Sequence, residues 1–103
     1  MPDLRDELIQ RLTALPSVSV AFYKDTNLLC VFYNNKEIAH FQNGHEIDIR
    51  LTPKIIKKNG LRPPPNTTSH LDRPASSRWI VQSFAQPETL DDIVALVRLA
   101  TEL

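Results

Sequence analysis

The stretch from Val18 to Leu51 leaves this chain few ways to fold. Four short runs of alternating apolar and polar residues are joined there by very short polar connections. Val18 to Tyr23 ends in Lys24-Asp25-Thr26-Asn27, Leu28 to Tyr33 ends in Asn34-Asn35, and Lys36 to Gln42 ends in Asn43-Gly44 before His45 to Leu51. Connections of this length can only reverse the chain, because a parallel crossover needs a dozen residues or more. Asn tolerates positive φ and Asn-Gly is a strong hairpin signal, so both pairs read as two-residue turns. The stretch is an antiparallel meander.

Such a sheet needs apolar cover, and the flanking segments supply it. Leu4, Leu8, Leu12 and Leu15, widened by Ile9, make one face of a helix that Asp3 caps and Pro16 stops. After the meander, Thr52-Pro53 opens a short helix that Asn59-Gly60 closes, with Ile55 and Ile56 turned to the core. Pro63-Pro64-Pro65 is stiff and extended, and a polar loop follows to Ser77. Arg78 to Ala85 alternates as a fifth strand, which must join an edge of the meander or lie beside its first strand. Thr89 is expected to cap a last helix with the stripe Leu90, Ile93, Val94, Val97 and Ala100. The order α-β-β-β-β-α-β-α predicts an α+β domain spanning residues 1–103. Its antiparallel sheet has about five strands, with the N- and C-terminal helices on one face.

Composition narrows the function. At 103 residues, 42% hydrophobic and 23% charged, the chain is of ordinary globular type. Twelve basic and twelve acidic residues balance, and no stacking-aromatic motif is present, so neither nucleic acid nor a membrane is an expected partner. A lone Cys30 forms no internal disulfide, the longest apolar run (Leu28 to Tyr33) is far too short for a bilayer, and the start is too acidic for a signal peptide. A cytoplasmic setting is expected. With Gly44 and Gly60 as the only glycines, no glycine-rich phosphate cradle can be built.

The hairpins then sort the side chains. A two-residue turn at Asn43-Gly44 pairs His40 with Ile47, and the face of Ile38, His40, Gln42, His45, Ile47 and Ile49 becomes the core face. The turn at Asn34-Asn35 adds Leu29, Val31 and Tyr33 to it. Leu28, Cys30 and Phe32, beside Ala39 and Phe41, fall on the opposite face as an apolar patch, which is either covered by a helix or loop or is a pocket or a subunit contact. Burial on the core face would lower the pKa of His40 and keep its ring neutral, fit to accept a proton; equally, the ring is ordinary packed core. His70 stands in the long loop, where a solvated residue and a site residue are both consistent with the pattern. If that loop crosses the Gln42 end of the third strand, His70 approaches His40 and the two share a proton. Their spacing with His45 matches no metal signature, and Cys30 faces away, so no metal is expected. Between Lys54 and Arg78 a local excess of positive charge, including Arg73 and Arg78, suits an anion or simply a solvated surface.

The segments Glu37-Ile38-Ala39-His40, Asp48-Ile49, His70 and Ser77-Arg78-Trp79-Ile80, ahead of a leucine-rich final helix, resemble the luciferase domain. That family is named after the fungal luciferases and consists mostly of small microbial proteins. The resemblance runs roughly from Leu4 to Leu99, with Arg78 standing where many members have a small residue. The fold is also similar to small α+β domains of the YjbR type. The fungal enzymes oxygenate a hydroxypyrone with molecular oxygen and no evident bound cofactor. The resemblance therefore implies a base, His40 or His70, and substrate-binding residues Arg73, Arg78, Trp79 and Asp48 around a small anionic or enolic molecule, with no cofactor. The competing expectation is a non-catalytic interaction module that dimerises through Leu28, Cys30, Phe32 and Phe41.

Overall fold

The computed structural model describes residues 3–63, 73–74 and 76–103. Helix α1 (Leu4–Thr13) leads into strands β1 (Val18–Phe22), β2 (Leu29–Tyr33), β3 (Lys36–Phe41) and β4 (Glu46–Arg50). Helix α2 (Pro53–Lys58), strand β5 (Trp79–Ser83) and helix α3 (Thr89–Thr101) follow. The five strands form one antiparallel sheet in chain order, with β5 on the free side of β4. The expected α+β order is the observed one.

Local chemistry explains the element ends. Asp3 accepts from the Asp6 amide at 2.8 Å and starts α1, and Thr52 does the same for the Ile55 amide at 3.2 Å in α2. Asn59 ends α2, and Gly60 takes a φ of 62° that a side chain would oppose. Thr89 does not cap α3; Glu88 holds that position without a side-chain bond, and Thr89 is the first helical residue. Leu8 and Leu12 of α1 and Leu90, Ile93, Val97 and Ala100 of α3 are buried on one face of the sheet, against Val31, Ile47 and Ile49.

Two details of the sheet decide what lies on its other face. Asn34 (φ 51°) and Asn35 (φ 68°) make the expected two-residue turn, pairing Tyr33 with Lys36. Beyond it, Phe32 pairs with Glu37 but Val31 pairs with Ala39, so Ile38 is an inserted bulge residue. Asn43-Gly44 is not a two-residue turn. The Gln42 amide donates to the Glu46 carbonyl at 2.9 Å, His45 joins the loop, and His40 pairs with Asp48 rather than Ile47. A shift of one residue turns a strand over. Ala39 and Phe41 therefore face the helices, and His40 faces away.

The outer edges of the sheet differ. On β5 the Ser77 hydroxyl accepts from the Trp79 amide (3.1 Å) and donates to its carbonyl (3.2 Å), while the Gln82 amide group donates to the Val81 carbonyl (2.7 Å). On β1 the Ser17 carbonyl and the Tyr23 amide are bonded to β2, so the alternating Val20 and Phe22 turn their backbone groups outward. No side chain covers them among the described residues.

Candidate functional site

The sheet face turned away from α1 and α3 carries a row across four strands: Cys30 on β2, His40 on β3, Asp48 on β4 and Val81 on β5 are successive partners. Cys30, Asp48 and Val81 are buried, an unusual fate for a carboxylate. The bulge adds one more member. Residues three apart on a regular strand point to opposite faces, but the inserted Ile38 joins Ala39 in the core and leaves Glu37 on the side of His40.

Asp48 is the centre of this cluster. Its side chain has no exposed surface, and Arg73 reaches both of its oxygens at 2.6 Å through Nη1 and Nη2. The same Oδ2 lies 3.3 Å from His40 Nε2. Gln42 Nε2 stands 2.8 Å from that ring nitrogen. With its amide turned over, Gln42 accepts from an Nε2–H instead, and that arrangement suits a ring whose Nε2 proton also faces Asp48. His40 Nδ1 is buried, has no hydrogen-bond partner among the described residues, and lies 3.6 Å from Glu37 Oε1. The other oxygen of Glu37 accepts from the Cys30 thiol at 3.1 Å. The Trp79 ring tilts over the His40 ring with 5.2 Å between centroids.

The charges fix the protonation preferences. Burial opposes the charged form of His40, but the hydrogen bond and charge of Asp48, reinforced by Glu37, outweigh it and raise the pKa. The expectation of a burial-lowered histidine is therefore reversed: the ring left the apolar face and met two carboxylates. Burial also disfavours ionised Asp48, yet hydrogen bonds from Arg73 and His40 bring its pKa below the ordinary value. Burial, with Glu37 as acceptor, pushes the Cys30 thiol up to about 12, so it stays protonated and donates.

Of the candidates named from sequence, the structure brings His40, Asp48, Arg73 and Trp79 together. Arg78 is exposed, and its carbonyl accepts from the Leu51 amide in the sheet. His70 lies outside the described residues. His45 is an exposed loop residue rather than part of the core face. The apolar patch is divided: Ala39 and Phe41 belong to the core, the latter edge-on to Phe84 at 5.8 Å, and Cys30 is fully buried beneath the site. Cys30 faces the same way as His40, against expectation. Glu37, Gln42 and Cys30 were missed as site members. The first was visible only as part of a motif, because regular alternation does not foresee a bulge that buries two successive residues, Ile38 and Ala39. A cavity of about 380 Å³ opens elsewhere, lined by Gln82, Ser83, Thr89, Asp92, Ile93 and Leu96 among others; none of the cluster residues borders it.

Fold and site together define an α+β protein with helices on one sheet face and a buried carboxylate, clamped by arginine and bonded to histidine, on the other. The family model of the Luciferase domain matches residues 35–100, which include β3, β4, β5 and most of α3, and the chain belongs to that family. No curated protein and no solved structure matches it.

Proposed function

We propose that the chain binds a small enolic molecule at the His40 face of the sheet and takes up its acidic proton on His40. The observation that carries this reading is the fully buried Asp48, bonded twice by Arg73 and offering Oδ2 to His40 Nε2. A buried carboxylate in that place fixes the ring and stabilises the imidazolium that forms when a proton arrives. Nδ1 is then the position left to titrate. An enol is favoured over a preformed anion because both terminal nitrogens of Arg73 are already engaged by Asp48, and Arg78 is turned to solvent. The resemblance to the fungal luciferases extends the proposal: deprotonation of a hydroxypyrone-like ring gives the electron-rich enolate that molecular oxygen attacks without a cofactor.

Trp79 is the only tryptophan of the chain and lies against His40, so its fluorescence reports on the site. A 3-hydroxy-4-pyrone, a ring enol that keeps its proton at neutral pH, is expected to quench it saturably, and His40→Ala to weaken that binding at least about tenfold. Arg78→Ala should leave it unchanged, and His70→Ala tests the second histidine in the same assay. Equal affinity in His40→Ala, or no saturable change at millimolar probe, overturns the reading.

A further inference from the structure

We propose that Glu37 is the group through which His40 exchanges its proton, so that the working unit is Glu37, His40 and Asp48 rather than the histidine alone. This rests on the reading of His40 as a proton acceptor and adds the route by which the proton reaches it. The ring nitrogen left to titrate, Nδ1, has no contact with solvent. Asp48 behind Nε2 is sealed as well. Glu37 is different: its Oε1 faces Nδ1 at 3.6 Å, and its side chain keeps 29% of its surface exposed. A molecule or a water arriving at this face meets Glu37 before it can meet Nδ1.

The bulge at Ile38 is what makes the arrangement possible. Were β3 regular through Ile38, Glu37 and His40, three residues apart, would lie on opposite faces. Bulges gather beside active sites because they re-aim a side chain, and here the register shifts by one residue between Glu37 and Ala39. Cys30 completes the geometry, since its thiol donates to Glu37 Oε2 at 3.1 Å and holds the carboxylate with Oε1 towards the ring. Glu37 and Asp48 are the titratable groups facing His40 among the described residues. Cys30 stands behind the first and Arg73 behind the second, with Gln42 and Trp79 beside the ring.

The transfer balances simply. An acidic O–H gives its proton to Glu37 Oε1 and becomes an anion. The 3.6 Å contact closes to hydrogen-bond length, the proton passes to Nδ1, and Glu37 is again a carboxylate beside an imidazolium. On the way back the proton leaves Nδ1 for Glu37 Oε1 and passes from there to the departing oxygen or to a water, which leaves His40 neutral and Glu37 a carboxylate.

The test needs no ligand. In unsubstituted protein with labelled carboxyl carbons, the Glu37 carbon is expected to shift at the His40 midpoint, as a carboxylate facing a titrating ring does. Glu37→Gln keeps the shape and should lower the His40 midpoint, read by NMR of the ring or by Trp79 fluorescence. It should also slow exchange of the Nδ1 proton at least about tenfold. Glu37→Asp, which keeps the charge, should recover part of the midpoint shift. A Glu37 carbon that shows no step at the His40 midpoint overturns the proposal, and so does an unaltered His40 midpoint and exchange rate in Glu37→Gln. If Glu37→Gln does not fold, the carbon titration of the unsubstituted protein decides alone. Loss of this coupling with pyrone binding intact removes only Glu37; intact coupling without pyrone binding removes only the functional reading.

Discussion

A carboxylate with no exposed surface is destabilising unless its charge is met, and Asp48 is met by Arg73 on one side and His40 on the other. Arg73→Ala strands that charge and should cost about 3–5 kcal/mol in urea unfolding. Arg73→Lys should recover only part of the loss, because an ammonium cannot reproduce the two-pronged contact. The same residues set a pH window. The pKa of Asp48 is lower in the folded chain, so its contribution is present above the ordinary carboxylate range and disappears as pH falls through the folded value. His40 has the opposite sign: its pKa is raised on folding, so its contribution is full below the ordinary 6.5 and is lost as pH rises through the folded value. Urea midpoints measured across pH should therefore fall on both sides. His40→Gln should flatten the alkaline limb, and Asp48→Asn, which also removes the partner that raises His40, should flatten both.

At the scale of elements, the two Asn-Gly pairs, Asn59-Gly60 and Asn43-Gly44, behave differently, and glycine substitutions distinguish them. Gly60 sits at φ 62° at the end of α2, and Gly60→Ala should cost about 1 kcal/mol. Gly44 is not in the left-handed region and a Cβ there meets open space, so Gly44→Ala should change stability by less than about 0.5 kcal/mol. A large loss at Gly44 would mean the tight turn after all. The reason this loop defeated the sequence pattern is local. Asn43 uses its side chain twice, accepting from the His45 amide at 2.9 Å and donating to Glu46 at 2.8 Å, and this draws a third residue into the turn. Helix periodicity, caps and strand alternation were sufficient for element order, since each is written in residues close together. Facing was not legible in the same way. The position of His40 depends on one extra loop residue and on the bulge at Ile38, neither of which strict alternation along β3 would foresee. The residues of the site could thus be named while the face they occupy was inverted.

For the molecule as a whole, the inversion makes Phe41 a core residue. It packs edge-on to Phe84 at 5.8 Å, joining the third strand to the segment that leads into α3. Phe41→Ala should cost about 3–5 kcal/mol by chemical denaturation, the range for a buried aromatic, where a surface role would cost almost nothing. Neighbouring copies would meet the two sides of the sheet very differently. Ser77 and Gln82 occupy backbone groups along β5, while Val20 and Phe22 leave theirs open on β1, and Phe22 exposes 59% of its surface there. A sheet with two open sides can add copies without end, as fibrils do. Here, two chains joined through β1 would present β5 borders on which the Trp79 amide and carbonyl and the Val81 carbonyl are already engaged by side chains, which disfavours further addition by that route.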